Sequence, residues 1–211
     1  MMIKQRGAER SGTTMAAKMV QQAFGVSGLI GKRIKPNKHA VLTGNEWPAD
    51  TVLMINIKDP YAWLVSWHAW HKQSDFDGRK IPRQKRAMTY TREELAIPID
   101  SYNERYASWF AAPYASATIR YEDILMAPAV LYEKIAKLLN RQPDPTQMWG
   151  AMPPQIVRPG RTKMRGLPPI KFDRAYYTEK KYLDLLQPRQ IAQITEDIDW
   201  KLLEGLYEPI M

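Results

Sequence analysis

The sequence predicts an α/β domain with a largely parallel central sheet flanked by helices. Three observations carry this expectation. Short apolar runs alternate with helical patterns along the chain. The run Val52-Leu53-Met54-Ile55-Asn56-Ile57 is almost continuously apolar, as a strand covered on both faces must be. A glycine turn, Arg10-Ser11-Gly12-Thr13-Thr14, lies where the first strand should pass into the first helix. At 211 residues, with 45% apolar and 10% aromatic side chains, the chain has material for one core. It reads as a single domain over residues 1–211.

A strand over about residues 2–6 opens the chain. A helix over about 14–24 follows, with Met15, Met19, Val20 and Phe24 at helical spacing and Gly25, Gly28 and Gly31 ending it. The strand 52–57 gives way to Lys58-Asp59-Pro60, and Pro60 suits the first turn of a helix reaching His71. Trp63, Trp67 and Trp70 form a stripe on that helix, either packed in the core or walling a pocket. Residues 72–99 are polar, basic and weakly periodic, and read as a long loop or mobile insert. Asp100 or Ser101 can cap a helix to about Ala111. Ser116 to Tyr121 reads as a strand and about 128–140 as a helix, after which 141–175 should be mostly irregular. Helices over about 179–186 and 188–206 close the chain.

Several classes are excluded or disfavoured. No apolar run approaches the ~20 residues of a membrane span. Met1 to Arg6 lacks the apolar stretch of a secretory signal, so a cytoplasmic location is expected. With no cysteine there is no disulfide, thiolate metal site or cysteine nucleophile. His68 and His71 lie three apart on one helix without a third ligand at recognisable spacing, so no metal site is read. Thirty-one basic against 22 acidic residues leave a net charge of +9. Arg79, Lys80, Arg83, Lys85, Arg86 and Arg92 run without an intervening acid, and so do Arg158, Arg161, Lys163, Arg165 and Lys171. Such clusters gather anionic ligands or simply form a solvated basic surface.

The glycine turn has the makings of an anion site. Gly12 permits close backbone approach, successive N–H groups can form a nest, and the helix N-terminus adds partial positive charge. The alternative is an ordinary helix cap made by Ser11 or Thr13. A nucleoside-triphosphate loop would need Gly-Lys-Ser/Thr. Here Thr13-Thr14 follows the glycine and the cation, Arg10, precedes the turn. That arrangement is poor for ATP with magnesium and suits a donor whose transferred group lies beside a basic residue at the loop's mouth.

From Arg10 to Thr14 the chain resembles the sulfotransferases that use 3′-phosphoadenosine 5′-phosphosulfate (PAPS), whose phosphosulfate loop reads Lys/Arg-Ser-Gly-Thr-Thr/Ser after the first strand. Their second signature follows a buried strand: arginine, then Asn/Asp-Pro, then serine eight residues after the arginine. Lys58-Asp59-Pro60 and Ser66 keep that interval, with lysine, a point charge, replacing the bidentate fork. Ile119-Arg120-Tyr121-Glu122-Asp123-Ile124-Leu125 resembles a Tyr-Glu-Asp-Leu stretch ending a later strand of the family, and Ile198-Asp199-Trp200-Lys201-Leu202-Leu203 its closing helix. The four matches run in the family's order at short intervals, implying a compact member.

The resemblance implies a P-loop-type domain with PAPS as donor and 3′,5′-adenosine diphosphate as product. Ser11, Gly12, Thr13 and Thr14 would hold the 5′-phosphosulfate, Arg10 would stabilise charge on the bridging oxygen, and Lys58 and Ser66 would grip the 3′-phosphate. Many members place lysine and histidine at a strand end between the two signatures. His39 is the corresponding base, with Lys38 sharing leaving-group stabilisation; Glu46 is the alternative, since other branches use a glutamate. A late Arg/Lys-Gly loop closing on the 3′-phosphate has counterparts in Arg165-Gly166 and Arg158-Pro159-Gly160. Asp123 as a helix cap and Glu122 as an ion-pair partner are given no catalytic role. The acceptor would be a hydroxyl or amino group of a small molecule or glycan, anionic if the basic residues 79–92 face it; no metal is required. The competing readings are a nucleotide-dependent phosphotransferase and a non-catalytic polyanion or nucleic-acid binding protein.

Overall fold

The computed structural model describes residues 2–27, 29, 37–44, 46–71, 87–150, 155–156, 170–171 and 174–210. Three strands, Met2–Gly7 (β1), Thr51–Ile57 (β2) and Ala115–Arg120 (β3), form an all-parallel sheet in the order β1-β2-β3. Met2 pairs with Thr51 through to Gly7 with Asn56, and Val52 pairs with Ala115 through to Ile57 with Arg120. The carboxyl ends of all three strands therefore come level at one edge, where ligands of open parallel sheets gather.

Parallel neighbours need crossovers, and helices supply them. Thr13–Phe24 (α1) lies between β1 and β2; Pro60–His71 (α2) and Arg92–Phe110 (α3) lie between β2 and β3. Tyr121–Met126 (α4), Pro128–Leu139 (α5), Ala175–Thr178 (α6) and Pro188–Asp197 (α7) follow, with short 3₁₀ turns at Pro145–Gln147, Lys181–Leu185 and Trp200–Leu203. Gln155–Ile156 (β4) and Ile170–Lys171 (β5) make a separate antiparallel pair.

β2 is buried along its whole length, which explains its near-continuous apolar run. Its two-residue period divides the core. Val52 and Met54 pack with Met19, Val20 and Phe24 of α1 and Leu131 and Ile135 of α5. Leu53, Ile55 and Ile57 pack on the other face with Trp63 and Leu64 of α2, Tyr102 and Trp109 of α3 and Ile194 of α7. Each buried Leu, Ile or Phe side chain contributes about 1.5–3 kcal/mol, so both helical layers are held chiefly by this one strand.

The third helix begins earlier than its sequence suggests. It starts at Arg92, not at Asp100 or Ser101, because Thr91 and Glu94 form a capping box: Thr91 Oγ1 accepts from the Glu94 N–H and Glu94 Oε2 accepts from the Thr91 N–H. Leu95 and Ile99 then extend the buried spacing of Tyr102, Tyr106 and Trp109 backwards. The expected insert over 72–99 is shortened accordingly; its part over 72–86 lies outside the described residues. The closing helices are also shorter than expected, with a 3₁₀ turn at Lys181–Leu185, α7 ending at Asp197, and a second turn at Trp200–Leu203 where Asp199 caps Lys201. Asp123 sits inside α4, 3.9 Å from Arg120 Nε, and caps nothing. Trp63 is fully buried, Trp67 packs partly against the core and Trp70 is exposed. His68 Nε2 accepts from the Thr89 N–H, whereas His71 lies against Trp67, so the two rings diverge. Among the described residues no helix is long and apolar enough to cross a membrane.

Candidate functional site

The turn from β1 into α1 is built by two glycines. Gly12 stands at the N-cap of α1 in the left-handed region (φ 80°), and no side chain caps the helix. Ser11 does not serve as the cap: its hydroxyl donates back to Ala8 O at 2.7 Å. The first-turn N–H groups of a helix have no intrahelical acceptor, so an uncapped α1 points donors and partial positive charge out of the turn. Arg10 is also left-handed, at φ 71°, a conformation costly for a residue with a Cβ and concentrated at functional turns. At Gly7 a Cβ would lie 2.7 Å from Asn56 O and 2.8 Å from Ser11 Oγ. Only glycine lets the turn sit that close to β2. The spacing Gly7 to Gly12 was the available signal for this residue, since it matches the glycines of a phosphate loop whose lysine position is Thr13.

Gly12 meets a neighbour that no local pattern indicates. A Cβ there would fall 2.4 Å from Cδ2 of Tyr121, the first residue after β3. The glycine is thus required by its dihedral angle and by Tyr121 together.

Residues 37–44 lie at the end of β1, where the Gly7 N–H donates to Lys38 O, and bring Lys38 and His39 to the turn. His39 Nδ1 lies 2.5 Å from Gly7 O; a carbonyl only accepts, so Nδ1 carries the hydrogen and Nε2 of the neutral ring keeps its lone pair. Burial lowers the His39 pKa below the usual histidine value, partly offset by this hydrogen bond and by Glu9. Lys38 Nζ reaches Thr14 Oγ1 at 3.4 Å, and burial lowers its pKa too. The pair occupies a turn, not the end of a strand. Glu46 has other business: its Oε2 lies 3.7 Å from the guanidinium of Arg6, which is 1% exposed, stacks on Trp47 at 4.5 Å and donates to Asn37 O at 2.8 Å. Burial pulls Arg6 down to about 10 against the opposing pull of Glu46.

Lys58, directly after β2, and Ser66, two turns into α2, meet. Lys58 Nζ donates to Ser66 Oγ at 2.7 Å, and that hydroxyl donates to Ala62 O at 2.9 Å. The ammonium lies 4.9 Å from the Tyr121 ring and 5.1 Å from the Tyr177 ring of α6. Burial lowers its pKa to about 8; Glu122 and Asp59 pull upward, and Arg10 is close enough to push it further down.

Supporting ties come from the other helices. Arg105 of α3 pairs with Glu9, Trp63 Nε1 of α2 donates to Glu9 O at 2.6 Å, and Tyr106 OH donates to Asn56 O at 2.8 Å. The structure thus gathers Arg10 to Thr14, Lys38, His39, Lys58 and Ser66 along the carboxyl ends of β1 and β2. Arg165, Gly166 and the stretch Arg158-Pro159-Gly160 lie outside the described residues. Tyr121, Tyr177 and Arg105 were missed as site residues, because only the packing of distant segments brings them here; Glu9, inside the turn, was missed because its partner Arg105 is distant in the chain. No family model, curated protein or solved structure matches the chain.

Proposed function

We propose that this chain is a sulfotransferase whose turn at Gly7–Gly12 is a P-loop-type phosphosulfate loop, moving a sulfuryl group from PAPS to a hydroxyl or amino group. The observation that carries the reading is the Lys58–Ser66 hydrogen bond. Two residues eight apart, named as one subsite by the resemblance, converge beside the glycine turn with Arg10 near by.

Sulfuryl transfer is an in-line displacement at sulfur. The acceptor oxygen or nitrogen bonds to sulfur, the bond from sulfur to the bridging oxygen breaks, and 3′,5′-adenosine diphosphate leaves with that oxygen and the bond's electron pair. Donors at the uncapped start of α1 suit the 5′-phosphosulfate. Arg10, with Lys38 against Thr14, supplies positive charge where negative charge develops. His39 Nε2, its lone pair set free by the Nδ1–Gly7 bond, takes the acceptor's proton. Glu46 is committed to the buried Arg6 and fits that task less well. Lys58 with Ser66 takes the 3′-phosphate, which requires the Tyr121 and Tyr177 rings to part, since Lys58 is 1% exposed.

Calorimetry against 3′,5′-adenosine diphosphate, 5′-AMP and ATP tests the reading. The first should bind at least about tenfold tighter than the second. Equal binding of the two, or preference for ATP with magnesium, refutes it. Affinity that falls steeply with salt and ignores nucleotide identity would favour the polyanion reading.

A further inference from the structure

At the carboxyl ends of β2 and β3 lies a cavity of about 470 Å³ whose lining residues, Tyr177 apart, have no part in the proposed sulfuryl transfer. The carboxyls of Asp59 and Glu122 line it with the phenols of Tyr182 and Tyr207. Tyr207 donates to Glu122, and Glu122 also accepts from the Asp59 N–H, which ties the two acids together. Donors come from other walls. The Arg120 guanidinium stacks on Tyr207 at 4.8 Å and lies 3.9 Å from Asp123 through its Nε. Lys180 enters from a left-handed turn, φ 51°. Met126 and Leu206 add apolar surface.

Charges of both signs are interleaved here, so an ion of either sign meets a like charge across the space. Carboxylates only accept and guanidinium and ammonium groups only donate, while a hydroxyl does both. Tyrosine rings offer flat surfaces to the C–H faces of a ring. We propose that this cavity is a binding site for a neutral sugar, its hydroxyls bridging the Asp59–Glu122 carboxyls to Arg120 and Lys180 with the ring against tyrosine. The volume lies within the range of small-ligand sites, about 300–1,000 Å³. Burial holds both carboxyl pKa values above the usual range. The site goes beyond sulfuryl transfer and does not depend on it, so it is tested without nucleotide.

Methyl β-glucoside, methyl β-galactoside and methyl α-mannoside are titrated into the full chain and followed by amide chemical shifts, beside glucosamine, glucuronate and adenosine. At least one neutral glycoside should saturate with shifts at Glu122, Lys180 and Tyr207 and unchanged affinity between low and high salt. Met126→Trp, which enlarges an exposed side chain of the lining, and Lys180→Met, a surface change with little folding risk, should each weaken it at least about tenfold. The proposal is overturned if none of the three glycosides binds, if glucosamine, glucuronate or adenosine binds there more tightly, or if glycoside binding survives both substitutions.

Discussion

Lys58→Met is the most informative single change, because it should leave the fold at least as stable while weakening the proposed nucleotide preference. The lysine is 1% exposed, and burial takes its ammonium from 10.5 to about 8. At about 1.36 kcal/mol per pKa unit, keeping this group charged at pH 7 costs the native state about 3 kcal/mol. Methionine retains the stem's packing without the charge, and Ser66 keeps its bond to Ala62 O at 2.9 Å. Against the relief stands the lost Lys58–Ser66 hydrogen bond, about 1.5–3 kcal/mol for a charged donor, so the variant should equal wild type or be up to about 1.5 kcal/mol more stable at pH 7. The pH dependence has a definite sign. Between about 8 and 10.5 the unfolded chain binds a proton that the native lysine does not, so wild-type stability rises with pH there and the variant's advantage shrinks. Urea unfolding of both proteins across that range measures the difference directly. In parallel, preference for 3′,5′-adenosine diphosphate over 5′-AMP should fall by roughly 10- to 100-fold, the loss of one charge-assisted hydrogen bond. A variant less stable than wild type at pH 7, with a pH-independent difference and unchanged nucleotide preference, would refute the reasoning and make Lys58 a structural cation.

His39→Ala should lower turnover with a phenol or amino-sugar acceptor by roughly 10²–10⁴-fold while nucleotide affinity holds. Because burial lowers the His39 pKa, the acid limb of the wild-type rate profile should lie below 6.5; a limb above that value would show another base at work. Gly12→Ala should destabilise through the left-handed φ, about 1 kcal/mol, and through displacement of Tyr121. A double-mutant cycle with Tyr121→Ala, followed by thermal unfolding, should recover the second part alone, and strict additivity would dissociate the two residues. Glu46→Gln should cost roughly 1–3 kcal/mol in urea unfolding by leaving the buried Arg6 charge without its counterion, with little effect on turnover; an inactive but stable Glu46→Gln protein would transfer the base role to Glu46.

The α/β class, the three strands and the glycine turn were legible because each depends on local pattern: an apolar run in β2, a helical spacing in α1 and a glycine where the chain must turn tightly. Lys58 and Ser66 were singled out through the resemblance alone, and the structure brings the two side chains into hydrogen bond. The start of α3 was missed although it too is local: Thr91 and Glu94 cap it, but the charged first turn hid the spacing that Leu95 and Ile99 continue. What no window of sequence contains is the placement of Tyr121 on Gly12, of Tyr177 over Lys58, of Glu46 against Arg6 and of Tyr207 on Glu122. These pairs are separated by tens of residues and are decided by which helix covers which face of β2. Tertiary packing also lowers the pKa values of Lys58, His39 and Arg6, since desolvation depends on what surrounds a group and not on its neighbours in the chain.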